Sequence, residues 1–164
     1  MVEDNVLENM AFDNEPKFLY ILRGIYGIGK TSFAECLGGI IHSTDKYFEN
    51  DKGEYIWVRS LSKLNHINNQ EAVRGSMIDG LSSIIVDNTN IRLWEMQPYI
   101  KLARVYNYKI RIVEFTIPYG LTPKILAKRT KHPLTVGYIK DKINEFEPFT
   151  YLEDVLKSEK PKGK

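Results

Sequence analysis

One segment near the start of the sequence constrains the fold more than any other. Residues 24–31, GIYGIGKT, carry the pattern G-x-x-x-x-G-K-[ST] at every fixed position, and this pattern belongs between a strand and a helix. An apolar run at residues 18–22 precedes it, and residues 32–37 follow it with helical character before two glycines end the helix. The sequence therefore predicts a strand, a phosphate-binding loop and a helix in that order.

The residue types in this loop suit a nucleoside triphosphate. Glycines let the backbone curl so that its N–H groups point at phosphate oxygens, and the positive end of the following helix points to the same place. Lys30 is expected to reach the β- and γ-phosphates, and the Thr31 hydroxyl to bind Mg²⁺. The predicted ATP-binding residues are Gly24, Gly27, Ile28, Gly29, Lys30, Thr31 and Ser32. The alternative is a glycine-rich turn that matches by chance, which the full pattern in this context disfavours.

Apolar and amphipathic segments alternate along the rest of the chain. Strands are predicted at residues 18–22, 40–42, 83–87 and 108–115. Helices are predicted at residues 32–37, 61–81, 88–106, 121–131 and 135–147, with Pro98 causing a kink or a new start. The helix at 61–81 is expected to bury Leu64, Ile67, Met77, Ile78 and Leu81. Because parallel strands need helical crossovers, the alternation predicts an α/β sandwich of three layers around a central parallel sheet of four to five strands.

Composition restricts the class of protein. A chain of 164 residues with 43% hydrophobic and 27% charged residues suits one soluble domain, and no apolar run is long enough to span a membrane. The acidic start lacks the pattern of a secretory signal, so we expect an intracellular protein, cytoplasmic or nuclear. We divide the chain into a flexible leader at residues 1–16, a main domain at 17–148 and a basic, solvated tail at 149–164. The single cysteine, Cys36, excludes an internal disulfide and is predicted to be buried.

Two aspartates at predicted strand ends are candidates for chemistry. Asp87 ends the apolar run at 83–87, beside the expected phosphate loop, where it would bind Mg²⁺ directly or through water; the alternative is that it caps the following helix. Asp45 follows the strand at 40–42, where a carboxylate could accept the proton of an acceptor hydroxyl. Asp45 could equally cap the segment at 46–48, and Asp51 and Glu54 are weaker candidates for the base. The residue pattern leaves these alternatives open.

Further segments carry a family resemblance. STDKYF at residues 43–48, IIVDNTN at 84–90 and LAKR at 126–129, together with the phosphate loop, resemble the polynucleotide-kinase-like branch of the P-loop kinases. That branch includes phage 5′-hydroxyl polynucleotide kinase and the kinase-like module of ubiquitin-ligase-binding proteins, and the similarity covers residues 18–147. DNTNIRLWEM at 87–96 is most similar to the second group.

The resemblance implies a P-loop NTPase fold of the nucleotide-kinase type with a helical lid, which uses ATP and Mg²⁺. It implies that Asp45 is the general base, that Lys30 contacts the transferred phosphate, and that Arg129 belongs to the lid and stabilises the transferring phosphoryl group. The alternative for Arg129 is an exposed helix position. Two departures stand out, since Phe48 replaces an arginine expected to hold the acceptor phosphate, and Lys131 or His132 replaces a second lid arginine.

The expected function is phosphorylation of a 5′-OH end of RNA or DNA. The alternatives are a kinase for a small-molecule hydroxyl and an ATP-binding adaptor with weak turnover, because one fold serves many acceptors. A net charge of +2 is too small to argue for nucleic-acid binding by itself. A nucleic-acid end is the expected partner, separate repair enzymes are further candidates, and the sequence does not determine the oligomeric state.

Overall fold

The computed structural model describes residues 15–161, which form one sheet flanked by helices. The strands are β1 (Phe18–Arg23), β2 (Ile40–His42), β3 (Ser83–Asp87) and β4 (Lys109–Glu114). The helices are α1 (Lys30–Leu37), α2 (Ser62–Ile78), α3 (Gln97–Val105), α4 (Pro123–Arg129), α5 (Val136–Asn144) and α6 (Leu152–Lys157). Short 3₁₀ helices span Thr44–Phe48, Arg59–Leu61 and Leu93–Met96.

The four strands are parallel and lie in the order β2-β3-β1-β4. In the register of β1 and β3, Leu22 lies opposite Asp87. Because both strands run in the same direction, the end of β3 lies beside the loop that follows β1. The predicted α/β fold with a central parallel sheet is confirmed, with four strands in the part of the chain that the structure describes.

Helices cover both faces of the sheet. On one face, α1 packs through Ala34 against Leu22 and Ile85. On the other face, helices α2, α3 and α6 pack against β1 and β3 in the largest apolar cluster, which contains Leu19, Ile21, Val73, Met77, Ile84, Val86, Tyr99, Ile100, Ala103 and Val155. A third cluster joins α4 and α5 to the phosphate loop through Leu126, Ile139 and Ile25. These three clusters give the three-layer arrangement and place α4 and α5 above the end of the sheet.

Helix α2 buries a different face from the one predicted. Leu64, Ile67 and Ile78 are exposed, and among the predicted core positions of this helix only Met77 is buried. The buried positions are Asn65, Asn69, Val73, Ser76 and Met77. The prediction was wrong because two asparagines on the inner face find hydrogen-bond partners that hydropathy does not reveal: Asn65 donates to the Tyr47 carbonyl and Asn69 to the Tyr99 hydroxyl.

The segment after β3 is not helical at its start. Asn90 lies in the left-handed region at φ 43°, and its side-chain amide donates to the Leu22 carbonyl at 2.7 Å. A 3₁₀ helix follows at Leu93–Met96, and α3 begins at Gln97 with Pro98 in its first turn. Pro98 therefore marks a new start rather than a kink, as expected for proline in a first helical turn.

A buried arginine fixes this segment to β1. Arg23 is fully buried and donates to the carbonyls of Asn90, Ile91 and Glu147 at 3.3, 3.2 and 2.7 Å. It also forms an ion pair with Glu114 at 3.0 Å. Burial lowers the pKa of Arg23, and the charge of Glu114 opposes this shift. These contacts hold the loop after β3 against the strand that leads into the phosphate loop.

Two further sequence interpretations differ from the structure. Cys36 is exposed rather than buried, because it lies on the outer side of α1. The segment interpreted as a solvated tail contains α6, whose Val155 is fully buried in the main cluster. The leader at residues 1–16 lies mostly outside the described residues, so the division of the chain stays a prediction. None of the helices within residues 15–161 has the length and apolar character that a membrane crossing requires.

Candidate active site

The loop between β1 and α1 closes around the Lys30 side chain. Gly29 lies in the left-handed region at φ 106° and immediately precedes α1. The Lys30 ammonium donates to the carbonyls of Gly24 and Ile25 at 2.9 and 3.0 Å. Burial lowers the Lys30 pKa to about 8, and the charges of Asp87 and Asp45 oppose this shift. The loop therefore holds a buried cation that its own carbonyls solvate.

Thr31 and Asp87 are in direct contact at the edge of the sheet. The Thr31 hydroxyl donates to Asp87 Oδ2 at 2.7 Å. Burial raises the pKa of Asp87, while the hydrogen bond from Thr31 and the charge of Lys30 oppose this shift. No helix begins directly after Asp87, so the alternative of a helix cap is wrong. A hydroxyl and a carboxylate side by side form a pair of oxygen ligands of the kind that Mg²⁺ prefers.

Asp45 lies within the 3₁₀ helix that follows β2. Ser43 caps this helix, because its side chain accepts a hydrogen bond from the Asp45 amide at 3.3 Å. The alternative role of Asp45 as a helix cap is therefore wrong. The Asn88 side chain holds the same helix by accepting from the Thr44 amide at 2.9 Å. This leaves the Asp45 carboxylate available for other contacts, and one oxygen lies 3.2 Å from Nε2 of His132.

One cavity of about 560 Å³ brings the predicted catalytic and metal-binding residues together. Its lining includes Lys30, Thr31, Asp45, Asp87 and Arg129, together with Gly27, Ile28, Gly29 and Ser32. Gly24 does not line the cavity but packs against Phe115, where an added Cβ would lie 2.9 Å from the Phe115 Cβ. Arg129, the last residue of α4, also lines the cavity. Six of the seven predicted ATP-binding residues therefore line this cavity, and the seventh, Gly24, packs behind the phosphate loop.

A second cavity of about 470 Å³ adjoins the first. The two cavities share Tyr26, Asp45, Asn88 and Thr89 in their linings. The aromatic residues on its walls are Tyr26, Phe48, Tyr55, Trp57, Trp94 and Tyr138, and the cationic ones are Arg92, Lys142 and Lys160. Trp57 is 56% exposed. The same walls also carry the acidic residues Glu95 and Glu145. Asp45 thus lies at the junction of the cavity formed by the phosphate loop and an aromatic cavity that carries charges of both signs.

The sequence did not identify every residue of the site. Tyr55 lies in the connection between β2 and α2, in a segment with no recognisable motif. Its ring packs against that of His132 at an interplanar angle of 50°, with centroids 4.0 Å apart. Asn88 stood in the family-like segment, but its bond to the Asp45 helix was not anticipated. His132 was noted only as a replacement for a lid arginine. Only the fold shows that these three side chains meet around Asp45.

Comparisons with known protein sequences are consistent with this geometry. The sequence model of the family described as AAA domain matches residues 19–140. NEDD4-binding protein 2 of Homo sapiens is 33% identical over 149 residues, which cover 87% of this chain. The matched region is 8% of that relative, so the chain spans only a small part of its length.

Solved structures share the fold. A chain in the structure of the Pnkp1/Rnl/Hen1 RNA repair complex has a TM-score of 0.63 and 18% identity, covering 87% of this chain and 46% of that one. A sugar kinase from Janibacter sp. HTCC2649 has a TM-score of 0.54 and 15% identity, covering 86% of this chain and 91% of that one. At these identities the likeness shows a common P-loop kinase fold and leaves the bound ligands and the acceptor open.

Proposed function

Because the chain belongs to the AAA domain family, we propose that it is an ATP-dependent kinase that phosphorylates the 5′-OH end of a polynucleotide. The observation that carries this proposal is the position of Asp45. Its carboxylate lines both the cavity formed by the phosphate loop and the aromatic cavity next to it. A base between a nucleotide and an acceptor is what transfer of a phosphoryl group to an alcohol requires.

The first cavity supplies the groups for the nucleotide. The backbone of the phosphate loop and the Lys30 ammonium bind the β- and γ-phosphates, with Lys30 exchanging its loop carbonyls for phosphate oxygens. Thr31 and Asp87 would hold Mg²⁺, which supplies charge neutralisation between the phosphates when bound. Arg129 contacts the transferring group from the lid. Asp45 accepts the proton of the acceptor hydroxyl as the new oxygen–phosphorus bond forms and ADP leaves.

The second cavity favours a nucleic-acid end over a small polar acceptor. Its aromatic walls suit the faces of unpaired bases, which stack on aromatic side chains with little regard for sequence. Arg92 pairs with Glu147 and Lys142 with Glu145, whereas Lys160 pairs with no carboxylate within residues 15–161 and lies over the Trp94 ring at 5.0 Å. A cation without an acidic partner beside an aromatic wall suits a base and its adjoining phosphate.

The test is transfer of labelled phosphate from ATP to a single-stranded oligonucleotide with a 5′-OH. The Asp45→Asn variant keeps the size of the side chain and removes the base, so its rate should fall by about 10²- to 10⁴-fold. Asp51→Asn is the matched control, because it removes a carboxylate from an exposed turn that lines neither cavity, and it should keep the wild-type rate.

Nucleosides and simple sugars, offered in the same assay, separate the acceptor classes. The proposal expects phosphorylation of the oligonucleotide in preference to both. It is wrong if the wild-type protein phosphorylates only the small acceptors, or if Asp45→Asn keeps the activity of the wild-type protein.

A further inference from the structure

The segment between α4 and α5 carries a histidine that contacts the proposed base. Nε2 of His132 lies 3.2 Å from Oδ2 of Asp45, although the two residues are 87 positions apart in sequence. The imidazole packs against the Tyr55 ring at an interplanar angle of 50° and meets the ring of Tyr26 edge-on, with centroids 6.1 Å apart. The His132 side chain is 15% exposed, so three contacts and burial fix the position of its ring.

The Asp45 carboxylate combines its contact to His132 with exposure to both cavities. Its Oδ2 lies 3.2 Å from Nε2 of His132. Burial raises the pKa of the nearby Tyr55 phenol, and the charge of Asp45 adds to that effect. The Asp45 side chain is nevertheless 43% exposed and lines both cavities. The contact to His132 therefore leaves oxygen lone pairs free to face an acceptor hydroxyl.

The geometry also assigns the tautomer of His132. An ionised carboxylate only accepts hydrogen bonds, so Nε2 must carry a proton that it donates to Asp45. Nδ1 is buried and has no hydrogen-bond partner within the described residues. The ring therefore has one polar contact, and that contact is Asp45.

We propose that His132 is a positioning residue that acts through Asp45 in the reaction described under Proposed function, on which this inference rests. It holds one carboxylate oxygen so that the other faces the acceptor hydroxyl. In the transfer step, the proton of that hydroxyl passes to Asp45, the acceptor oxygen bonds to the γ-phosphorus, the bond from phosphorus to the β,γ-bridging oxygen breaks, and ADP leaves. His132 keeps its own proton throughout.

The position of His132 also links the base to the lid. Its segment follows α4, which carries Arg129 into the nucleotide cavity and packs against the phosphate loop through Leu126. Arg129 and His132 both line the cavity formed by the phosphate loop.

The kinetic test compares His132→Ala, His132→Gln and Lys128→Ala. His132→Ala should lower kcat by about 10- to 100-fold, the range for a misplaced catalytic group, while KM for ATP stays unchanged. His132→Gln offers a side-chain N–H at a similar reach and should recover much of the loss. Lys128→Ala is the control on the same lid helix, since Lys128 is exposed and lines neither cavity, and it should behave as the wild-type protein.

A double-mutant cycle separates positioning from a general structural role. If His132 acts through Asp45, adding His132→Ala to Asp45→Asn should lower kcat no further. If His132→Ala lowers kcat by the same factor in the wild-type protein and in Asp45→Asn, the proposal is wrong. An increase in kcat for His132→Ala would also overturn it, because the contact would then block the base rather than orient it.

A measurement without substrate keeps this inference distinct from the proposed function. The ¹⁵N shifts of the His132 ring should report a protonated Nε2 in the wild-type protein and a mixture of tautomers in Asp45→Ala. If this change is seen but no oligonucleotide is phosphorylated, the acceptor assignment is wrong and the Asp45–His132 contact stands. If the ring is unaffected by Asp45→Ala, the positioning role is wrong whatever the acceptor.

Discussion

Gly27 allows the lid to lie directly on the phosphate loop, and substitution of this glycine tests that contact. Its backbone is left-handed at φ +73°, and an added Cβ would lie 2.5 Å from the Leu126 carbonyl oxygen and 3.3 Å from the Arg129 Cβ. Gly53 has almost the same backbone angle, φ +76°, with nothing within 4 Å of an added Cβ. Gly27→Ala and Gly53→Ala therefore share the cost of a left-handed alanine and differ in the clash with α4.

The structure sets the difference in stability between Gly27→Ala and Gly53→Ala. A left-handed alanine costs about 1–2 kcal/mol in either variant. Overpacking against backbone adds about 1–3 kcal/mol in Gly27→Ala alone. For a chain of this size that excess lowers the melting temperature by roughly 2–12 °C below that of Gly53→Ala.

Two assays check this prediction. Scanning calorimetry of the three proteins without ligand compares their melting temperatures, and titration calorimetry with ATP and Mg²⁺ compares their affinities. Gly27→Ala should bind ATP more weakly because α4 and Arg129 are displaced, whereas Gly53→Ala should bind it as the wild-type protein does. Equal melting temperatures and equal affinities for the two variants would refute the close approach of α4 to the loop.

Two other features lead to measurable outcomes. Since burial lowers the Lys30 pKa to about 8, Lys30 is neutral in a fraction of the free protein molecules at pH 8.5. A bound triphosphate raises the Lys30 pKa, so ATP binding should take up protons at this pH and weaken as the pH rises through about 8. Calorimetry in buffers of different ionisation enthalpy measures the proton uptake. If the uptake persists in Lys30→Met, Lys30 is not the group that takes up the proton. On α2, Leu64→Ser should change the free energy of unfolding by less than about 0.5 kcal/mol, whereas Val73→Ala should cost about 1.5–3 kcal/mol. Urea denaturation compares the two, and a larger loss in Leu64→Ser would mean that the buried face of α2 is wrongly placed.

The parts of the fold that the sequence predicted well are those that local patterns determine. The phosphate loop has a fixed residue pattern, and β2 and β3 begin and end where their apolar runs do. Strands buried on both faces are continuous apolar runs, which explains the agreement for β3; β2 is a partly exposed edge strand. Asp87 ends β3, Asp45 lies in the 3₁₀ helix that follows β2, and Lys30 and Thr31 begin α1 after the phosphate loop. The parallel sheet brings the ends of these connections to the same edge, where the four residues line one cavity.

The features that the sequence did not predict depend on partners far away in the chain. Asn69 occupies a core position on α2 because the Tyr99 hydroxyl, 30 positions later, accepts its hydrogen bond. His132 and Tyr55 reach Asp45 from separate loops, and no local pattern links a loop tyrosine to a lid histidine. Such contacts become visible only after the sheet and the lid helices have been placed in space.

The burial of Val155 has a practical consequence for anyone who produces a shortened form of this protein. The family match ends at residue 140, inside α5, yet the apolar side chain of Val155 completes the packing beneath α2 and α3. The Gln97 side chain also donates to the carbonyls of Val155 and Leu156 at 2.9 and 3.1 Å. An expression fragment cut at residue 140 or 148 would expose this apolar surface and favour aggregation, so the useful boundary lies after α6.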